Sequence, residues 1–183
     1  MKHLKTPQEL NEASENLNIS DVISSINNYD LDLLKNSITP RIVNKHIFKI
    51  FDDDEKPLWA PLIKISTLKK HREDELRYNG ISINKNEDDD CELAKIIINN
   101  GADLDIKDRN GNTALHYCVY YKNYKLMELL IKEGADLNIQ DNNGNTPLQL
   151  SVMRGYTNFS NLLINNGADK NIKNFNGENF YNY

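Results

Sequence analysis

The side chains that could carry out acid–base, nucleophilic or metal chemistry are few and scattered in this sequence. Its histidines stand at positions 3, 46, 71 and 116, so none forms the i, i+4 pair or the His/Cys cluster of a zinc site. Its two cysteines, Cys91 and Cys118, form neither a CxxC pair nor a disulfide framework. We therefore expect no metal, no cofactor and no disulfide, and a reducing, intracellular setting.

Two acidic runs, at residues 52–55 and 87–90, could bind a calcium ion through their carboxylates. Neither run has the alternating ligand positions and the central glycine of a known calcium-binding loop. We expect both runs to be solvated loops, with Asp90 capping a following helix whose dipole favours the negative charge. Contact with a basic protein is the alternative for these runs.

The sequence contains no recognisable catalytic motif. It lacks the phosphate-binding glycine loop, the GxSxG nucleophile turn and the HExxH metal motif. A reactive thiol at Cys91 is disfavoured, because the acidic residues before it would raise its pKa. We predict that the protein is not an enzyme. The least favoured alternative is an enzyme with an unfamiliar site in residues 1–90, built on carboxylates near 73–75 or 87–90.

The elements that position these residues come from a chain that repeats itself. Gly101, Gly134 and Gly167 each begin a Gly-Ala-Asp phrase, and successive phrases are 33 residues apart. A period of this length indicates stacked supersecondary units rather than a single globule. Stacked units present a long surface, so the repeat favours binding over catalysis.

The unit at residues 108–140 shows how each repeat is built. It opens with an Asn-Gly pair typical of a tight turn, and Thr113 then stands at the N-cap position of a helix over residues 114–121. A second helix over residues 124–132 carries leucines at helical spacing, and Gly134 follows as its stop. The next unit repeats this order, with proline at the first helical position.

These features resemble the ankyrin repeat family. The matches fall on the turns, helix starts and helix ends of two successive units: Asp108, Gly111, Thr113, Ala114, Leu115, His116, Leu129, Leu130, Gly134, Ala135, Asp136 and Asn138, then Asp141, Gly144, Thr146, Pro147, Leu148, Leu162, Leu163, Gly167, Ala168, Asp169 and Asn171. The resemblance implies an all-α ankyrin-repeat solenoid of stacked helix pairs with β-hairpin loops and an irregular helical N-terminal cap. It also implies that His116 ties its turn to its helix, and that Cys118 packs in the core.

The same resemblance predicts the domain organisation. A polar stretch at about 66–90 separates the two halves of one unit, and insertions of this kind go to loops on one face. Terminal repeats are usually atypical because one face meets water. We expect an irregular helical cap or degenerate repeat at 1–55, a degenerate ankyrin repeat with the insertion at 56–107, ankyrin repeats at 108–140 and 141–173, and a truncated repeat at 174–183.

Composition narrows the class of partner and the location. The 183 residues have a net charge of −5, so nucleic acid is disfavoured and a basic protein surface is favoured. No apolar run approaches the roughly 18 residues of a membrane span, and we expect no signal peptide. We therefore expect a cytoplasmic protein, or one in a host cell's cytosol after delivery, that is monomeric alone. Its 28 asparagines, which use A/T-rich codons, indicate an AT-rich genome.

In ankyrin proteins, the variable surface consists of the turn tips and the exposed side of each first helix. Carried over to this sequence, the resemblance implies partner-binding residues at the tips (Arg109, Asn110, Asn112, Asn142, Asn143, Asn145 and Phe175) and on the first helices (Tyr120, Tyr121, Met153 and Arg154). Tyr, Met and Arg are enriched at the centres of protein interfaces. The alternative for the two tyrosines is that either one packs on its neighbour.

Two functions follow from this surface. The first is a protein–protein interaction module, an adaptor or a host-modulating binder, that holds one protein partner on its concave face. The second is a dedicated inhibitor, such as a bacterial toxin immunity protein, which would bind one partner tightly. The small size and the acidic charge balance of the chain fit the second function.

Overall fold

The described part of the chain is helical. A computed structural model describes residues 21, 24–26, 28, 30–37 and 87–183, and these contain no β-strand. The elements are α1 (Leu31–Ser37), α2 (Glu87–Asn99), α3 (Ala114–Tyr120), α4 (Tyr124–Lys132), α5 (Pro147–Met153), α6 (Thr157–Asn165) and the 3-10 helix η1 (Phe180–Asn182). The helices agree with the predicted all-α repeat fold, whereas the predicted β-hairpin loops are not confirmed.

The first helices of two successive repeats begin in the same way. The backbone N–H of Thr113 donates to His116 Nδ1 at 3.1 Å, and that of Thr146 donates to Gln149 Oε1 at 2.9 Å. Each bond satisfies a donor that helix geometry leaves without an intrahelical partner. Pro147 occupies the first position of α5, where its missing N–H costs nothing. Thr113 and Thr146 are the N-cap residues of α3 and α5, in agreement with the sequence.

The helices pack mainly against their neighbours in the repeat order. Helix α3 contacts α4 and α5, α2 contacts α4, α5 contacts α6 and η1, and α1 contacts α2. The largest fully buried side chains lie along these contacts: Ile26, Leu93, Ile97, Leu115, Leu126, Met127, Leu130 and Leu148. Each such side chain contributes about 1.5–3 kcal/mol by burial. These side chains belong to one continuous hydrophobic core that runs through the described repeats.

Hydrogen bonds hold successive turns in register. Lys107 Nζ donates to the carbonyl of Gln140 at 2.9 Å, and Gln140 Nε2 donates to the carbonyl of Lys173 at 2.9 Å. Within the turns, the backbone N–H of Asn142 donates to the carbonyl of Asn110 at 2.9 Å. The first two bonds join positions 33 residues apart, so they follow the period of the sequence.

The start of α2 differs from the prediction. Residues 87–90 lie within α2 (Glu87–Asn99) and are not a loop, and Asp90 therefore does not cap the helix from outside. Acidic residues are favoured in a first turn because the helix dipole is positive there. The Asp90 side chain is buried and accepts a hydrogen bond from Asn123 Nδ2 at 2.9 Å. Asp88 instead forms an exposed ion pair with Lys125 at 2.8 Å.

The remaining predictions for the N-terminal half fall largely outside the described residues. Of the expected cap at 1–55, only residues 21, 24–26, 28 and 30–37 are described. Within that part, residues 24–26 are helical, Ile26 is buried and α1 contacts α2. The acidic run at 52–55, the carboxylates near 73–75, and the expected insertion up to residue 86 lie outside the described residues.

Candidate functional site

A pocket of about 560 Å³ opens between two successive turns and the ends of the helices that follow them. Its lining residues are Asn110, Asn112, Tyr117, Tyr120, Tyr121, Asp141, Asn142, Asn143 and Arg154. We call this the inter-turn pocket. It brings together most of the residues that the sequence predicts for partner binding, from both repeats.

Three tyrosines form one wall of the inter-turn pocket. Tyr117 and Tyr120 belong to α3, and Tyr121 is the residue that follows it. The rings of Tyr117 and Tyr121 stack with their centres 5.9 Å apart and their planes at 12°. Tyr120 lies against Tyr117 at the same ring distance but is tilted by 56°. The Arg154 guanidinium of the next repeat lies 4.7 Å from the centre of the Tyr120 ring. Such a contact is a cation–π interaction, and it places the two repeats' predicted binding residues side by side.

A hydrogen bond orients Tyr117 in this wall of the pocket. The Tyr117 hydroxyl donates to Asp108 Oδ2 at 2.6 Å. Burial, and then this bond, raise the pKa of the Tyr117 hydroxyl, while the nearby Asn112 side chain acts in the opposite direction. The pKa of Tyr120 is also raised, first by burial and second by the Asp141 carboxylate. Both phenols therefore stay protonated at neutral pH and can donate hydrogen bonds.

Two of the predicted tip residues are not on the surface. Asn112 and Asn145 are buried, because each follows the glycine of its turn and faces the next element of the stack. Asn145 Oδ1 accepts a hydrogen bond from Asn174 Nδ2 at 3.1 Å, so this side chain joins two turns. The expectation of an exposed binding position is wrong for Asn145. Asn112 is equally buried but lines the inter-turn pocket.

The other predicted binding residues are dispersed. Arg109, Met153 and Phe175 are exposed but do not line the pocket, and Phe175, at 75%, is the most exposed large apolar residue of the described part of the chain. Asn142 lines the pocket, but its Nδ2 also donates to the carbonyl of Arg109 at 2.7 Å. Part of the polarity of the turn tips therefore serves to hold neighbouring turns together.

Two residues that line the pocket, Tyr117 and Asp141, are not among the predicted binding residues. Tyr117 precedes Tyr120 and Tyr121 by three and four positions, so helical spacing places all three rings on one face. Asp141 was matched as a turn residue, and its Oδ1 indeed accepts from the backbone N–H groups of Asn143 and Asn145 at 2.8 Å each. Only the stacking of repeats shows that Asp141 also lines the pocket.

The two cysteines, which the sequence offers as possible nucleophiles, lie in environments that disfavour reactivity. Cys118 is fully buried in the core. Burial, and then the Asp90 carboxylate, raise the pKa of the Cys91 thiol to about 11, which disfavours a reactive thiolate. In the described ranges, no group of three His, Cys, Asp or Glu side chains could hold a metal ion.

Histidine 116 ties its turn to its helix, as expected. Its Nδ1 accepts from the Thr113 backbone, and its Nε2 lies 3.1 Å from the carbonyl of Asn145. The ring is therefore neutral, with its proton on Nε2 as the donor to that carbonyl. Burial lowers the pKa of His116 below its ordinary value of 6.5, since the charged form loses hydration.

We expect stability to fall on acidification because of His116. The unfolded chain takes up a proton at about pH 6.5, whereas the folded chain takes it up only at lower pH. The free energy of unfolding should therefore decrease as pH falls below 6.5, by about 1.4 kcal/mol for each unit by which folding lowers the pKa. Urea unfolding at pH 7.5, 6.5 and 5.5 measures this loss.

The matched control is His116→Gln, because Gln149 occupies the equivalent position of the next repeat. Gln149 Nε2 donates to the carbonyl of Glu178 at 2.9 Å, so glutamine can make the bonds that His116 makes. The variant should lose less stability than the parent protein over the same pH range. Equal losses in both proteins would show that His116 does not carry the effect.

Within the described part of the chain, no helix has the length and the apolar character that a membrane span requires.

Comparison with known families matches residues 82–174 to the model described as ankyrin repeats in three copies. No curated protein matches the chain.

Proposed function

Because this chain belongs to the ankyrin repeat family, we propose that it binds one protein partner through the face that carries its turns and first helices. Ankyrin repeats are generally protein–protein interaction modules and are typically not enzymes. In this proposal, the repeats form a solenoid whose concave side is that face, with hairpin-like loops at its edge. The protein acts as a monomer in the cytoplasm or in a host cell's cytosol.

The observation that carries the proposal is the contact between Arg154 and the Tyr120 ring, around which we define a binding patch of Tyr120, Tyr121, Met153 and Arg154. Arg154 contacts the Tyr120 ring from the next repeat, so the patch spans two repeats. The tyrosines are half-buried, while Met153 and Arg154 are exposed. Aromatic rings and arginines that are held in place lose little entropy on binding, and they dominate the energetics of many interfaces.

A dedicated inhibitor, such as a bacterial toxin immunity protein, is the second candidate. The acidic charge balance favours it, because the net charge of −5 suits a partner with a basic active site. Both candidates use the same face, and they differ in the number of partners and in affinity. The identity of the captured partner separates them.

Alanine at all four patch positions is expected to abolish capture of the partner. A quantitative pull-down from the source organism's lysate would compare the parent protein with the variant that combines Tyr120→Ala, Tyr121→Ala, Met153→Ala and Arg154→Ala. Each hot-spot residue contributes more than about 1 kcal/mol, so recovery should fall by at least about tenfold. Circular dichroism would first verify that both proteins fold.

The matched control removes four exposed side chains from the second helices, through Glu128→Ala, Lys132→Ala, Asn161→Ala and Asn165→Ala. This variant should recover the partner as well as the parent protein does. If the patch variant also recovered it fully, the proposed face would be wrong.

A further inference from the structure

We infer that the inter-turn pocket receives a positively charged side chain of the partner, an arginine or a lysine, as a donor of hydrogen bonds. The inference rests on the proposed function and specifies the chemistry of the partner at one point of the interface. Four features of the pocket support it: an acceptor without a donor, a carboxylate with an open oxygen, the local charge and the aromatic wall.

The first feature is the side chain of Asn112. It is only 6% exposed, it lines the pocket, and no hydrogen-bond donor of the described residues reaches its Oδ1. The neighbouring Tyr117 hydroxyl gives its own proton to Asp108, so it is not a donor to Asn112. The Asn112 carbonyl oxygen is therefore left as an acceptor. A buried acceptor without a donor is costly, so a donor that enters the pocket gains binding energy.

The second feature is Asp141 on the opposite turn. Its Oδ1 accepts from two backbone N–H groups of its own turn, whereas Oδ2 accepts no hydrogen bond from the described residues. The side chain is 4% exposed and lines the same pocket as Asn112. Each of the two turns therefore presents a hydrogen-bond acceptor to the pocket. One group with several N–H donors can bind to both acceptors. Guanidinium and ammonium groups are of this kind, and neither accepts a hydrogen bond.

The third feature is the local charge. The lining itself carries one carboxylate, Asp141, and one guanidinium, Arg154. Asp108 adds a second carboxylate next to the pocket, since it accepts the hydrogen bond of the lining residue Tyr117, and an anionic ligand is therefore disfavoured. The net charge of −5 for the whole chain acts in the same direction and attracts a basic partner over longer distances.

The fourth feature is the aromatic wall. Arg154 shows that a guanidinium fits over the Tyr120 ring at 4.7 Å. The stacked rings of Tyr117 and Tyr121 extend the same wall and suit the apolar stem of a long basic side chain. Arg154 itself repels an entering cation. Removing its charge should therefore strengthen binding of a basic side chain in the pocket, although Arg154 belongs to the patch that contacts the partner.

The test uses three peptides that differ at one residue. The peptides are acetyl-Gly-Gly-X-Gly-Gly-amide with X as arginine, lysine or citrulline, the neutral isostere of arginine. Each is titrated into the full-length 15N-labelled protein, and the NMR signals of the Asn112 side-chain amide and of the turn backbone are followed. The arginine or lysine peptide should shift these signals and bind at least about tenfold more tightly than the citrulline peptide.

Two variants of the protein should change its affinity for the charged peptides in opposite directions. Asp141→Asn removes the charge but keeps the turn, because Asn174 holds the equivalent turn of the next repeat with Oδ1 bonds of 3.0 Å to the N–H groups of Asn176 and Glu178. It should weaken the charged peptides about tenfold and leave the citrulline peptide unchanged. Arg154→Gln should tighten the charged peptides several-fold.

Preference for arginine or for lysine would support the inference and would identify the basic residue. Equal binding of the arginine and citrulline peptides, or no shift of the Asn112 signals with any peptide, would overturn it. The pull-down distinguishes a failure of this inference from a failure of the proposed function. If Asp141→Asn recovered the partner fully while the four-residue patch variant lost it, the pocket chemistry would be wrong and the binding face would stand.

Discussion

Replacing Gly144 with alanine is expected to lower the free energy of unfolding by about 2–5 kcal/mol. The backbone of Gly144 has φ of +80°, where a side chain costs about 1–2 kcal/mol. A Cβ atom added there would lie 2.6 Å from the backbone nitrogen of Phe175 and 2.7 Å from its Cδ1. Crowding of this kind adds about 1–3 kcal/mol, because backbone atoms of the next turn have to move. Urea unfolding followed by circular dichroism measures the loss.

Gly155→Ala is the matched control for this prediction. Gly155 also has a positive φ, of +70°, but an added Cβ would meet nothing within 4 Å. This variant should lose only the conformational part, about 1–2 kcal/mol. If the two variants lost equal stability, close contact between turns would not matter, and the turn ladder would contribute less than its geometry indicates.

The helices of residues 101–173 can be predicted from the sequence because helix capping, hydrophobic periodicity and turn residues agree with one another there. The helix predicted at residues 124–132 matches α4 (Tyr124–Lys132), since its leucines follow helical spacing and Gly134 ends it in a left-handed conformation. Thr113 was likewise predicted as an N-cap from its place before the first apolar residues. Where capping, periodicity and turn chemistry point to the same boundary, tertiary packing has little to correct.

The start of α2 was predicted less well, because residues 87–90 are acidic and carry no apolar periodicity. Their place in a helix depends on the helix dipole and on a contact 33 residues away, between Asp90 and Asn123. A similar limit applies to Asn112 and Asn145, which resemble polar turn residues in the sequence but are covered by the next turn. Polar residues whose partners lie one repeat away cannot be told from solvated ones by local pattern alone.

The inter-turn pocket shows the same limit at the level of function. The family resemblance selects Tyr120 and Arg154 as surface positions, and the structure places them in contact. It does not select Asp141, whose local role in its turn hides its second role as a lining residue. A repeat protein can therefore use one side chain for both folding and recognition, since each turn forms a wall for its neighbour.

Replacing Asn123 with alanine is expected to lower the free energy of unfolding by about 2–5 kcal/mol. Asn123 Oδ1 caps α4 by accepting from the backbone N–H of Leu126 at 3.2 Å, and a lost cap costs about 0.5–2 kcal/mol. Asn123 Nδ2 donates to the buried carboxylate of Asp90 at 2.9 Å, and a hydrogen bond to a charged group contributes about 1.5–3 kcal/mol. Urea unfolding at pH 7.5 measures the combined loss.

Asn166→Ala provides the matched comparison, because Asn166 is exposed and its Nδ2 donates, among the described residues, to the carbonyl of Leu162 alone, at 2.8 Å. That variant should stay within about 0.5 kcal/mol of the parent protein. A double variant, Asn123→Ala with Asp90→Ala, tests the cause, since removing the carboxylate also removes its need for a donor. Asn123→Ala should cost less in that background than in the parent protein. If it costs the same in both, the loss comes from the cap of α4 alone, and the contact between Asp90 and Asn123 does not stabilise the junction of the two repeats.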